Sequence, residues 1–345
     1  MKKNAGLYIH IPFCVSKCPY CDFYSVKYDR ALAEQYVSRL TEEFKKRRGA
    51  EFDTVYFGGG TPSVLEPEMI CHIIKEAKND FVIDSGAEIT VECNPSKELK
   101  EDFRQYAESG VNRISLGMQS AVDRERFALG RRGGAADVKR TIEEAKSAGI
   151  SNISLDVMLG TPKQTIDSLD ATFDFIEKAG VTHISAYMLK IEEGTPFFRL
   201  QDRLALPDED TVSEMYLKTI KVLKQLGFYQ YEISNFAKPG FESRHNTKYW
   251  TLEPYLGFGP SAHSFWNGER FYYDKNWEII PDGSGGDREE KIMLGMRLTK
   301  GVDRALIEKD ISQYLASGYL RTEGKNVAFT PKGMLISNYI LSEII

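Results

Sequence analysis

Residues 6–25 read GLYIHIPFCVSKCPYCDFYS. A short β-rich run, Gly6–Ile11, leads directly into three cysteines spaced Cys14-x3-Cys18-x2-Cys21. Soft thiolates on one short loop suit zinc, copper(I) or an iron–sulfur cluster. A structural zinc site closes a tetrahedron, usually with two separated CxxC-like pairs, and the second pair is missing here. His10 shares a strand face with Tyr8 and Pro12, so it reads as a hydrogen-bonded interior residue and not as a fourth ligand. Three thiolates on a four-iron cubane leave one iron open to a further ligand. The other two cysteines, Cys71 and Cys93, lie in segments that read as helix and strand. An odd count in this arrangement favours free thiols plus a metal or cluster site over a disulfide framework.

Outward from this stretch the chain repeats one theme, a β-rich run, a Gly, Pro or Asn break, then a helix-period segment. Further strand candidates are Thr54–Phe57, Glu88–Cys93, Arg113–Met118, Ile153–Met158 and His183–Leu189. Apolar residues at 3.6 spacing predict helices over Ala31–Lys46, Pro67–Ala77, Lys100–Glu108, Ala136–Ala148 and Ile166–Ala179. Six such units imply a parallel α/β sheet with right-handed crossovers, curling into a partial (β/α)6 barrel. In barrels of this kind the chemistry gathers at the C-terminal ends of the strands. The cysteine loop, which follows the first strand, is at that end.

Composition narrows the function classes. The chain has 345 residues, 42% of them hydrophobic, enough for a large core and a smaller second unit. A formal charge of -5 offers no basic footprint for nucleic acid. No apolar run approaches the roughly 20 residues of a membrane helix, and MKKNAGLYIHI lacks the features of a signal peptide, so the expected location is the cytoplasm.

Other residues fall where a ligand could be met. VYFGGGTP ends the second strand with Gly58, Gly59 and Gly60, whose backbone can approach a ligand closely. It lacks the lysine of a phosphate loop and the spacing of a dinucleotide fingerprint. Glu92, near the end of the third strand, can accept both hydroxyls of a ribose. Gln119, Arg131 and Asp156 fall at or after the ends of the fourth and fifth strands, and Arg131 suits bidentate pairing with a carboxylate. Arg132 reads as a solvated charge.

After Pro207 the rhythm changes. A long helix candidate, Asp208–Leu226, is followed by YEISNFAKPGFESRHNTKYW and a Gly- and aromatic-rich run, YLGFGPSAHSFWNGERFYY. The polar break PDGSGGDREE precedes a last module of helix, helix, hairpin (YLRTEGKNVAFT) and helix. This divides the chain into a barrel domain, 1–235, and a C-terminal domain, 236–345, whose end from about 287 is winged-helix-like and better suited to packing than to DNA contact.

CxxxCxxC after the first strand, with the aromatic Tyr20 before the third cysteine, resembles the radical S-adenosylmethionine superfamily. YIHIPFC, GGGTPS, NRISLGMQS, DVMLGTP, YEISNFA, HNTKYW and FTPKGM together resemble the coproporphyrinogen III dehydrogenase-like (HemN/HemW) family along essentially the whole chain. The resemblance implies a [4Fe-4S] cluster on Cys14, Cys18 and Cys21, its open iron chelating S-adenosylmethionine, which reduction cleaves to a 5′-deoxyadenosyl radical. It also implies that Tyr8, Tyr20, Gly59, Gly60, Thr61 and Glu92 contact that S-adenosylmethionine. Thr61, Gln119, Arg131 and Asp156 match positions around a second S-adenosylmethionine in the dehydrogenase branch.

Two departures separate this chain from that branch. The dehydrogenase motif continues as CxxxCxxCxC, whereas here Cys21-Asp22-Phe23 has no fourth cysteine. The branch also carries an extension ahead of the first strand, which begins here by about Ala5. In their place stands HNTKYW, within the region 241–266, an HNxxYW motif similar to that of the haem-chaperone branch. A neutral imidazole is a common haem ligand, which makes His245 the first haem candidate, with His183 and His263 behind it. The alternative for a lone histidine beside Asn and Trp is a hydrogen-bonded loop anchor.

The reading that results is a haem chaperone serving apo-haemoproteins such as respiratory enzymes. Its alternatives are oxygen-independent coproporphyrinogen III dehydrogenation and a zinc-binding interaction protein. Peripheral membrane association and homodimerisation are left open.

Overall fold

A computed structural model describes residues 5–95 and 98–345. Strand β1 (Ala5–Ile11) runs into β2 (Phe13–Cys14), which pairs with β3 (Val26–Lys27) and ties the cysteine loop at its base. The alternation then runs through α1 (Arg30–Lys45), β4 (Glu51–Gly59), α2 (Pro67–Asp80), β5 (Val82–Cys93), α3 (Lys100–Ser109) and β6 (Arg113–Gln119). It continues with α4 (Asp123–Ala128), α5 (Ala135–Ser147), β7 (Asn152–Leu159), α6 (Ile166–Ala179), β8 (His183–Met188), α7 (Pro196–Leu200) and α8 (Glu209–Gln225).

Local chemistry sets these bounds. Asp29 caps α1 by accepting from the Leu32 amide, and Thr165 caps α6 through Ser168. Left-handed Gly110 and Gly180 end α3 and α6. Every residue of β6 is buried, as befits a strand covered on both faces. The core between sheet and helices holds Phe44, Phe57, Phe103, Ile73 and Ile142.

β1, β4, β5, β6, β7 and β8 lie side by side and parallel, the six-unit partial barrel that the sequence implies. The edges differ from expectation. After β9 (Tyr229–Gln230) and β10 (Asn235–Ala237), which runs antiparallel to β8, comes α9 (Arg244–Thr251). Strand β11 (Tyr255–Phe258) then joins the other edge, parallel to β1. It is followed by the antiparallel β12 (His263–Trp266), β13 (Glu269–Tyr273) and β14 (Ile279–Ser284). All lie in one 12-stranded sheet. A division between 235 and 236 therefore falls inside β10, and the sheet does not stop there.

The last segment holds α10 (Arg288–Gly295), β15 (Val302–Asp303), α11 (Ser312–Ala316), the hairpin β16 (Leu320–Glu323) and β17 (Asn326–Phe329), α12 (Pro331–Leu335) and α13 (Ser337–Ile344). β15 pairs with β17, giving a small three-stranded sheet among helices. This segment is fastened to the barrel through Ile233 N–H to Arg297 carbonyl (3.0 Å) and Thr299 N–H to Tyr231 carbonyl (3.0 Å). Among the described residues no helix is long and apolar enough to cross a membrane.

Candidate functional site: the two ends of the barrel

At the C-terminal end of the strands, the cysteine loop turns back on itself, with the Cys21 amide donating to the Cys18 carbonyl at 3.1 Å. All three thiols are free and half-buried. Burial pushes the Cys21 thiol up, and the neighbouring Cys18 and Cys14 add to this. A cationic centre would reverse that tendency and favour the thiolate. Among the described residues no three His, Cys, Asp or Glu side chains converge on a single ion. Thiolates around a cubane each bind a different iron, so three of them on one short loop fit a cluster with one iron left open.

The glycine turn is seated against this loop. Gly60 N–H donates to the Ile11 carbonyl (2.8 Å) and Thr61 N–H to the Phe13 carbonyl (2.8 Å). The Thr61 hydroxyl lies 3.6 Å from Cys14 Sγ. Gly59 has φ 109°, and a Cβ there would lie 2.6 Å from the His10 ring; one at Gly60 would lie 2.7 Å from the Phe13 carbonyl oxygen. The glycines are needed because two backbones and a ring meet here.

Below the loop, the barrel interior carries acids. The Tyr56 hydroxyl donates to Glu92 Oε1 at 2.7 Å. Desolvation pushes the Glu92 carboxyl up to about 7, and the charge of Asp156 contributes. Asp156 is pushed up to about 6, again chiefly by desolvation, while Ser185 and Ser115 hydroxyls offset part of it. Arg131 donates to the Tyr20 hydroxyl at 2.9 Å. Its buried Nε has no hydrogen-bond partner among the described residues, so a donor here is left for something the chain does not supply. Gly117 makes room for Arg131: a Cβ would lie 3.2 Å from the guanidinium and equally close to Gln119. Gln119 itself sits after a register shift at φ 70°, strained backbone of the kind that collects at functional sites.

Tyr8, Tyr20, Gly59, Gly60, Thr61, Glu92, Gln119, Arg131 and Asp156 are thus gathered with the cysteines around one end and the interior. His10 is the interior residue anticipated, accepting from Tyr8 (3.1 Å) and donating to the Tyr24 carbonyl (3.1 Å).

His245 is at the opposite end. Helix α9 lies against the N-terminal parts of β1, β4 and β5, and His245 is 0% exposed. Its Nδ1 is bonded to Thr54 Oγ1 (2.8 Å) and its Nε2 to the Tyr249 hydroxyl (2.9 Å). The face of the ring stacks on Tyr56, centroids 5.1 Å apart. Burial holds it far below the usual histidine range, at about 3. As the first haem candidate, His245 has both ring nitrogens hydrogen-bonded and its ring buried. The hydrogen-bonded anchor is the arrangement present. Elsewhere in the motif, Tyr249 packs edge-on against Tyr255 and Trp250 lies under the Arg297 guanidinium at 4.2 Å. His183 is buried against Ser154 (2.7 Å) and Tyr231 (2.8 Å), and exposed His263 stacks on Tyr272.

Comparison with known proteins gives the chain a family. Residues 8–176 match the Radical SAM superfamily. The heme chaperone HemW of Lactococcus lactis subsp. lactis (strain IL1403) is 31% identical, over 100% of this chain and 98% of that protein. The chain belongs to the HemN/HemW family. HemW of Bacillus subtilis (strain 168) is 32% identical over 96% of this chain and 97% of its own length. Among solved structures, the coproporphyrinogen III oxidase HemN from Escherichia coli, described as a radical SAM enzyme, superposes with a TM-score of 0.81. It is 21% identical, covering 99% of this chain and 90% of that one, and shows the shared fold. A radical S-adenosylmethionine domain implies a [4Fe-4S] cluster and S-adenosylmethionine.

Two residues of this region escaped the sequence. Tyr56 alternates with Thr54 and Gly58 on β4, and this period of two was the signal that would have put it on the inner face beside Glu92. Arg126 is fully buried and donates to the carbonyls of Met118 and Gly133 (the latter 3.2 Å), which holds the loop carrying Arg131. Nothing in its surroundings in the sequence distinguishes it from a surface arginine.

Proposed function

We propose that this protein is a haem chaperone of the radical S-adenosylmethionine type, delivering haem to apo-haemoproteins, respiratory enzymes among them, in the cytoplasm. The observation that carries the reading is the end-to-end match to proteins named heme chaperone HemW, at 31% and 32% identity. A second feature agrees with it: two positions after Cys21, where the dehydrogenase branch has a further cysteine, stands Phe23, 64% exposed.

In this reading Cys14, Cys18 and Cys21 hold the [4Fe-4S] cluster, which when bound supplies an open iron and an electron. The chain's own part is positional. The Gly59–Gly60 backbone and Thr61 shape the side of the pocket nearest the cysteines, and Tyr8 and Tyr20 flank it. Glu92 accepts the ribose hydroxyls of S-adenosylmethionine. Gln119, Arg131 and Asp156 form a second polar group that suits the carboxylate and amine of another S-adenosylmethionine.

The test is an anaerobic titration of cluster-reconstituted protein with haem. A shifted Soret band, followed by transfer to an apo-haemoprotein, is expected; an unshifted band and no transfer overturn the reading. The same sample given coproporphyrinogen III, S-adenosylmethionine and a reductant is expected to form no protoporphyrinogen IX, and formation of that product would establish the dehydrogenase instead.

A further inference from the structure

The HNxxYW helix is attached to the two strands that carry the inner carboxylate and its tyrosine. Glu88, on β5, accepts from the backbone amides of Arg244 (3.2 Å) and His245 (3.1 Å), which satisfies the N-terminus of α9. Lys248 reaches Asp53 of β4 at 2.8 Å, and Arg244 donates to the Gly86 carbonyl at 2.9 Å. Thus α9 is bonded to β4 and β5 at the end remote from the cysteines. From there a run of contacts climbs the interior. Thr54 and Tyr249 hold the two nitrogens of His245, the His245 ring lies nearly parallel to Tyr56 at 25°, and the Tyr56 hydroxyl clamps Glu92 Oε1. Tyr8 closes the other side of the stack, 6.3 Å from Tyr56 and 6.4 Å from His245 between centroids. The seat for the imidazole is kept open by Gly6, where a Cβ would lie 3.0 Å from His245 Cε1.

We propose that His245 is a positioning residue for S-adenosylmethionine: held by Thr54 and Tyr249, it fixes the Tyr56 ring, and Tyr56 fixes the orientation of the Glu92 carboxylate that receives the ribose. The inference rests on Glu92 being the ribose contact. It assigns the HNxxYW motif to the cofactor site at the far end of the barrel and takes it away from haem ligation. The effect travels through two packed side chains, so no movement of backbone is needed. A phenyl ring at position 245 would keep the stack and lose both hydrogen bonds.

The experiment is a double-mutant cycle on cluster-loaded protein, with S-adenosylmethionine dissociation constants read by equilibrium dialysis and haem binding read from the Soret band. His245→Phe and Tyr56→Phe are each expected to weaken S-adenosylmethionine about 5-fold, the worth of one hydrogen bond. The double variant should be no weaker than either single one, because both act on the same carboxylate. On this proposal haem affinity should stay within about 2-fold of the wild type. Thr54→Val, which removes only one hydrogen bond to the ring, gives a milder loss of the same kind and carries the test should His245→Phe fold poorly. Additive losses in the cycle, or a lowered thermal midpoint with unchanged S-adenosylmethionine affinity, would overturn the proposal. So would loss of the Soret shift in His245→Phe with S-adenosylmethionine binding intact, which would return the residue to haem. Wild-type protein that binds no S-adenosylmethionine would instead bring down the reading of the site itself.

Discussion

The same strands build both ends of this barrel, yet the ends have been left in opposite states. At the cysteine end, thiols are half-buried, an arginine Nε lacks a partner, and two carboxyls sit at raised pKa against one another. At the α9 end both His245 nitrogens are bonded, Glu88 caps a helix, and Glu232, fully buried, meets Arg297 at 3.2 Å. Unpartnered buried atoms occur at both ends, since Trp250 Nε1 and Arg297 Nε also lack a hydrogen bond among the described residues. The contrast lies in the half-buried thiols and the facing Glu92 and Asp156 carboxyls of one end against the fully bonded His245 ring of the other.

The comparison is broken most severely at the cysteines. Replacing Cys14, Cys18 or Cys21 singly by alanine is expected to abolish cluster loading, read as loss of bound iron and sulfide, while thermal unfolding of the apo-protein barely moves because the thiols are half-exposed. At the closed end the outcome reverses. Arg297→Ala leaves Glu232 buried without its counter-charge and removes the cover of Trp250, which should cost about 3 kcal/mol in urea unfolding with the cysteine loop still able to load.

Titration separates Glu92 from His245, because their shifts have opposite signs. Glu92 has a raised pKa, about 7, so the folded state keeps its proton longer than the unfolded chain. Its contribution to stability declines as pH rises from the ordinary carboxylate range through 7, with a slope of at most about 1.4 kcal/mol per pH unit. Glu92→Gln should remove that decline, and it should also abolish the tightening of S-adenosylmethionine expected on ionisation above pH 7. His245 is depressed to about 3, so its contribution is lost as pH falls below 6.5, where the unfolded chain takes up the proton first. His245→Phe should therefore flatten the acid limb in part, with His183 and His10, also lowered by burial, supplying the remainder. The smallest effect is expected at the rim: Phe23→Ser, at a side chain 64% exposed, should change stability by less than about 0.5 kcal/mol.

Much of the cysteine end was legible because it is local. Cys14, Cys18, Cys21 and the glycine turn are short-range patterns, and alternation along β1 put Tyr8 and His10 on one face before any contact was known. Strand centres were legible for the same reason, although β5 starts at Val82 and not Glu88, since its polar first half gives no apolar alternation. The closed end was not legible, because it depends on which strand lies beside β1. Nothing in the chain near Tyr255 says that it pairs with Gly6, and without that pairing His245 has no address. One signal was available and passed over: WNGE contains Asn267-Gly268, with φ 54° and 84°, a two-residue turn that predicts the β12–β13 hairpin. A strand run there would have made Tyr255–Phe258 a candidate for the same sheet.

The pairing of β1 with β11 joins residues about 250 positions apart in the chain. During synthesis, at roughly 5–20 residues per second, the first strand emerges with one edge unsatisfied for a time on the order of tens of seconds before its partner exists. Its hydrogen-bonding groups on that side must wait in water or be shielded by other factors. Completion of the barrel is thus a late event at the ribosome, and β1 is enclosed only after β11 has emerged.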